Sequence, residues 1–154
     1  MTTVGDALVA LRVLFTSTFI ADDQLLVRLG NRGQLNAGQN LLMIGDATGT
    51  TTPESLGPQR TVEEEYDIAC EISVTVQGSV QDQEAVTLRA IDLYQMAEHA
   101  VRAVPGQDLG IPEIMWAGVT GGWGFKEAKA SETGGPISTA FSFNVHVRAM
   151  YRLT

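Results

Sequence analysis

From residue 137 to residue 153 the chain alternates almost without a break. Thr139, Phe141, Phe143, Val145, Val147, Ala149 and Tyr151 share one parity, while Ser138, Ser142, Asn144, His146, Arg148 and Arg152 share the other. Period two means a β-strand with one face on a core and one face polar. An earlier segment, residues 62–77, repeats the pattern: Ile68, Cys70, Ile72, Val74 and Val76 alternate with Asp67, Ala69, Glu71, Ser73 and Thr75. Gly78 and Ser79 are expected to end it. Strands this long need a sheet with a covered apolar face, and the last one outruns a small sheet. One of its ends is therefore expected to pair with another chain.

Two segments have the helical period and can supply the cover. In residues 3–16, Val4, Leu8, Leu11 and Phe15 form a stripe widened by Ala7 and Leu14, with Thr3 as N-cap and Asp6 in the first turn. In residues 81–104, Leu88, Ile91, Tyr94, Ala97 and Val101 form a stripe backed by Val86, Ala90 and Leu93. Gln81 or Asp82 begins this helix, and Pro105 with Gly106 stops it.

Shorter elements fill the gaps. Gln24 to Leu29 reads as a short strand, followed by turn signals at Gly30, Asn31, Gly33 and Gly38. Leu41 to Ile44 reads as a buried strand. Residues 45–61 read as a long loop, with Gly45, Gly49, Pro53, Gly57 and Pro58 among threonines. A loop of that length in a small domain is expected to be ordered by another chain. Residues 111–130 read as one strand with a defect, since Gly121, Gly122 and Gly124 bracket Trp123. Thr133 to Pro136 read as a turn, and Trp116 as core. No repeat or linker divides residues 1–154. The fold class is α+β: a largely antiparallel sheet with two helices packed on one face, in a single compact domain with long loops.

Charge narrows the function. The net charge is −8 with only 10 Lys and Arg, all scattered. That argues against nucleic-acid binding as the main task, because a duplex binder needs a positive footprint. An acidic surface serves solubility, or lets DNA pass without sticking. At 18% charged residues, part of the surface is expected to be covered by a neighbouring subunit. The single cysteine, Cys70, excludes an internal disulfide, suits a reducing cytoplasm, and falls on the apolar face of its strand as a buried thiol. No signal peptide is visible, and Asp6 and Arg12 break the apolar run from Val4 to Ile20, which suits a packed helix better than a membrane span.

His99 lies near the end of the second helix and His146 on the polar face of the last strand, neither with a Cys or His at metal-ligand spacing. No Gly-x-Ser-x-Gly elbow occurs. The stretch GDATGT, Gly45 to Thr50, lacks the lysine a phosphate loop needs, and GGWG, Gly121 to Gly124, precedes a strand-like segment. Glu63, Glu64 and Glu65 are the densest charge run. They could bind a divalent cation, meet a basic partner, or form a solvated edge that discourages wrong strand pairing. Alternation sends Glu64 to the opposite face from its neighbours. The chain is expected to be non-enzymatic, without cofactor or metal. Candidate contact residues are Glu63, Glu64, Glu65, Trp123, Phe125, Pro53 and Pro58. Trp123 suits an interface anchor or a lid over its own segment.

The order of these segments resembles a known family. The chain opens on a helix ending near LRVLF (Leu11 to Phe15), and a Gly/Thr/Pro loop leads into YDIACEISVTVQGS (Tyr66 to Ser79). The helix AVTLRAIDLYQMAEHAVRAVP (Ala85 to Pro105) follows, and the chain closes on AFSFNVHVRAMYRL (Ala140 to Leu153). This layout resembles the tail terminator proteins of long-tailed bacteriophages, also called tail completion or head-proximal minor tail proteins. The likeness spans most of the chain and lies in pattern and order. It implies a structural virion subunit, assembled in the host cytoplasm, that forms a ring, usually of six copies. Such a ring stops polymerisation of the tail tube protein and offers the surface for the head–tail connector. DNA is only its passing cargo, and no membrane, cofactor or catalysis is implied. The neighbouring alternatives are a stopper, an adaptor or a tube subunit. A small-molecule-binding α+β domain is the alternative from another class.

Overall fold

A computed structural model describes residues 2–22, 25–30, 40–53, 60–78, 83–120, 122–128 and 135–153. Its elements are α1 (Val4–Thr18), β1 (Leu25–Leu29), β2 (Asn40–Pro53), β3 (Thr61–Gly78), α2 (Gln83–Ala103), β4 (Ile114–Val119), β5 (Gly124–Ala128) and β6 (Gly135–Arg152).

The two alternating segments, β3 and β6, become the central pair of the sheet. They run antiparallel in unbroken register from Thr61 opposite Arg152 to Gly78 opposite Gly135. At ~3.4 Å per residue this ladder is roughly 60 Å long. Register brings the apolar parities together: Ile68 opposes Val145, Cys70 opposes Phe143, and Ile72 opposes Phe141. All six are buried. Both ends of β6 therefore find a partner inside the chain along one edge, in β3.

The sheet order is β1-β2-β3-β6-β4, with β5 also on β6. Among the described residues, only β1 and β2 pair in parallel. β4 lies along the C-terminal part of β6, from Val119 opposite Val145 to Ile114 opposite Ala149. β5 lies along the N-terminal part, from Ala128 opposite Ser138 to Gly124 opposite Ser142. The expected single strand over 111–130 is thus two strands that share one edge of β6. The whole is a single α+β domain, mostly antiparallel, with an open sheet.

The long loop expected at 45–61 is corrected. Residues 45–53 continue β2 and pair with β3 as far as Pro53 opposite Val62. Residues 54–59, Pro58 among them, lie outside the described residues. The glycines and Pro53 read as punctuation, but Thr48, Thr50, Thr51 and Thr52 are β-branched and favour the strand. The register shifts between Ile44 and Ala47, so Gly45 and Asp46 mark a bulge and not a loop. Pro53 terminates the strand, where its missing N–H costs least.

The helices cover one face. α1 buries Ala7, Leu11 and Phe15, and α2 buries Val86, Ala90, Leu93, Ala97 and Val101. α1 lies over β1 and β2, while α2 lies over β3, β6 and β4. The stripe expected on α2 is rotated: Leu88 is 54% exposed, and Val86 and Ala90 take the inward positions. Arg89 of α2 pairs with Asp22, which follows α1. Thr3 stands at the N-cap of α1 as expected, but its side chain makes no capping hydrogen bond. The expected signals at Gln24, Asn31, Gly33, Gly38, Gly57, Ser79, Gln81, Asp82, Gly121 and Thr133 lie outside the described residues. Pro136, expected in a turn, is already in β6.

Candidate interaction surfaces

The face of the sheet away from the helices carries the acidic run. On β3, Glu63, Glu65 and Asp67 point outward and pair in register with Thr52, Thr50 and Thr48 of β2. On their other side stand His146 and Arg148 of β6. The His146 ring bridges two strand-mates, with Nδ1 2.9 Å from Asp67 Oδ1 and Nε2 2.9 Å from Glu65 Oε1. Arg148 Nε donates to Glu63 Oε1. These carboxylates thus meet basic groups of their own chain. Partly exposed pairs of this kind contribute about 0.2–1 kcal/mol each. The sequence shows that His146 and Arg148 share the polar parity of β6, but parity does not give the register that sets them beside the glutamates.

Glu64 points to the helix face, as alternation required, and it is only 4% exposed. It is corrected as a contact residue, because it is spent inside the chain. The Thr3 amide and hydroxyl both donate to Glu64 Oε2, at 2.9 and 2.8 Å. That hydroxyl has one proton, so the Tyr66 hydroxyl donates to Thr3 Oγ1, at 2.9 Å. Burial pushes the Glu64 pKa up, but the hydrogen bonds from Thr3 and Thr2 outweigh burial and hold it below its ordinary value. Burial, with the Glu64 charge nearby, pushes the Tyr66 and Tyr151 hydroxyls up. A carboxylate therefore sits at the N-terminus of α1, where the helix dipole favours it.

Trp123 is 65% exposed, yet the glycines around it do not leave it unsupported. Its ring stacks on Phe141 of β6, with centroids 5.6 Å apart and planes at 16°. Phe125, 38% exposed, meets Phe141 edge-on at 6.4 Å. Tyr94 of α2 stacks on Phe141 at 4.3 Å and meets Phe143 edge-on at 5.3 Å. Trp123 thus shields Phe141 and still presents a ring to solvent. Phe125 opposes Phe141, whereas Glu65 opposes Arg148. The aromatic and acidic candidates are therefore roughly 23 Å apart along β6 and on opposite faces.

Trp116 is corrected from core to the outer face. The register shift between Ile114 and Trp116 inverts the parity of β4, so Trp116 opposes Arg148. It lies half-buried over Gly118, where a Cβ would come within 2.6 Å of Cη2. Its Nε1 donates to Gln107 Oε1 at 2.8 Å, and its ring is 6.1 Å from that of His146.

Among the described residues, no group of three or more His, Cys, Asp and Glu is placed to hold a metal ion. Cys70 is buried, and burial pushes its thiol up to about 12. The thiolate is the reactive form. Aromatic disulfide reagents at pH 8 are expected to leave Cys70 untouched in the native protein and to titrate it fully in denaturant. Labelling at equal rates in both states would contradict this burial.

No described helix is long and apolar enough to cross a membrane. Comparison with protein-family models finds no match, and comparison with curated proteins finds none either.

Proposed function

We propose that this protein is a structural subunit of a phage particle: a tail terminator that assembles as a ring on the tail tube. The observation that carries the reading is how the segments of the resemblance pack. Three of them, ending the chain in the same order as in the family, become β3, α2 and β6, a single sheet-and-helix unit. An assembly subunit needs a body that keeps its shape while different faces meet different neighbours. The β3–β6 ladder supports such a body, with an aromatic patch and a charged row on opposite faces. In this reading the partners are further copies of the chain, the tail tube protein and the head–tail connector, and DNA passes through the lumen as cargo. The protein resides at the head-proximal end of the tail and catalyses nothing.

Cryo-electron microscopy of tail tubes mixed with the purified protein tests this. The expected result is a ring at the head-proximal tube end, and tubes that overgrow when it is left out. Tubes that stop at normal length without it overturn the reading. Density at another level of the neck would make the protein a stopper or an adaptor instead.

A further inference from the structure

We propose that the outer edge of β2, at residues 47–53, docks an extended basic segment of a partner protein, which adds there as a further strand. This contact is independent of ring formation.

One edge of β2 pairs with β3 as far as Pro53, but the other edge meets β1 only from Asn40 to Ile44. The Gly30 amide donates to the Ile44 carbonyl, and the described pairing stops there. Beyond the bulge, no described residue pairs with the outer edge of residues 47–53. Residues 48–53 are all exposed. Thr48, Thr50, Thr51 and Thr52 favour the extended backbone, so the strand form needs no cover. Proteins protect such edges with charge, a bulge, brevity or a covering helix. Residues 47–53 carry no charge, and the bulge lies before them. The strands at the other edges, β1, β4 and β5, are shorter. The backbone groups left open along β2 match those of one more extended chain.

A cavity lies against this edge on the helix face. Thr2 and Val4 around the start of α1, Ala47, Gly49 and Thr51 of β2, and Tyr66 of β3 line about 150 Å³. An added strand points alternate side chains to that face, and the space takes a small branched one such as valine. Sheets capture peptides with this pairing of parts: main-chain hydrogen bonds hold the strand, and a pocket selects its side chain.

Charge selects the partner. On the outer face Thr48, Thr50 and Thr52 are short, and Asp67, Glu65 and Glu63 stand directly behind them on β3. Glu65 and Asp67 stay more than half exposed, and Asp46 is exposed at the bulge. These carboxylates outnumber His146 and Arg148, the basic groups that meet them. An added strand lies about 10 Å from β3, and its lysine or arginine stems can cross the threonines to the carboxylates. The docked segment therefore has basic residues at alternate positions, with small apolar ones between. A second copy does not offer this. LLVRL of β1 has one arginine, IMWAGV of β4 has no base, and GFKEA of β5 sets its lysine beside a glutamate. With a net charge of −8, two copies also repel.

Titration with short blocked peptides, followed by fluorescence anisotropy and amide hydrogen exchange, tests the site. The probe alternates lysine and valine. One control has glutamate for lysine, and another keeps the lysines but carries a central proline. The lysine peptide is expected to bind and to slow exchange at least about tenfold at alternate amides between Ala47 and Thr52. The glutamate and proline peptides should each bind at least about tenfold more weakly. The double variant Thr48→Lys, Thr50→Lys should lose at least about tenfold in affinity for the lysine peptide. Both positions are exposed, and circular dichroism melts within a few degrees of wild type confirm folding. A lysine peptide that fails to bind wild type at any soluble concentration overturns the proposal. Equal binding of the proline peptide does so too, since that is charge attraction without a strand. Protection confined to β1, β4 or β5, or an affinity unchanged in the double variant, removes the site from β2.

Discussion

Replacing Glu64 by alanine is expected to destabilise the fold by about 3 kcal/mol, because it strips several donors of a buried charged acceptor at once. The Thr3 amide and hydroxyl, which now donate to Glu64 Oε2, would both lose that acceptor. Thr3 is 2% exposed, so water does not readily replace the carboxylate. For a chain of 154 residues the loss amounts to a fall in melting temperature of about 10 °C. Glu64→Gln keeps an acceptor of the same shape and should cost about 1 kcal/mol.

The pH dependence separates charge from shape. The folded state holds the Glu64 pKa below its ordinary value of 4.5. Folding therefore favours the ionised form, and the stabilisation is complete above the ordinary pKa. It is lost as pH falls through the lower, folded-state pKa. The gap in melting temperature between wild type and Glu64→Gln should be widest near pH 6 and should narrow towards pH 3. Other carboxylates titrate alike in both proteins and cancel. A gap that stays constant over that range would show that the ionised form contributes nothing.

That network also marks where reading the sequence stops. Alternation places Glu64 on the opposite face from Glu63 and Glu65, and it does lie there. Nothing local tells that its partner is Thr3, 61 positions away, because that pairing exists only once α1 is laid across the sheet. The same division runs through the fold. The parity of β3 and β6, the existence of both helices and the α+β class are local properties, and all were legible. Register is not local, so His146 beside Asp67 and Phe141 beneath Trp123 were invisible. Two errors share one cause. Gly45 and the shift after Ile114 are bulges, and a bulge breaks the counting on which strand reading depends. The first turned half of β2 into a loop, and the second moved Trp116 to the wrong face. The rotated stripe of α2 has another origin. Leu88 and Val86 are both apolar, and the sheet beneath selects between them.

Gly49 carries the other large effect, and it is the residue whose role was read most wrongly. As turn punctuation it would tolerate alanine. In β2 it opposes Tyr66 directly, and a Cβ built on it would lie 2.6 Å from Tyr66 Cα. The Glu65 carbonyl oxygen and Tyr66 Cβ would be closer still. These atoms belong to the backbone or its first branch and cannot swing aside, so β2 and β3 would have to separate. Gly49→Ala is expected to cost about 3 kcal/mol, at the upper end for overpacking. At Gly118 the clash is with the Trp116 ring, a side chain that can turn away, so Gly118→Ala should cost less and show a change in tryptophan fluorescence. Gly5 has nothing within 4 Å of its added Cβ, and Gly5→Ala should be neutral or slightly stabilising. Separation at Gly49 displaces Tyr66, whose hydroxyl binds Thr3. The double variant Gly49→Ala, Glu64→Ala should therefore lose less than the sum of the single losses. Strict additivity in denaturant melts would mean that the strand pair and the α1 anchor are independent. A Gly49→Ala protein as stable as wild type would mean that the two strands are not in contact at this point.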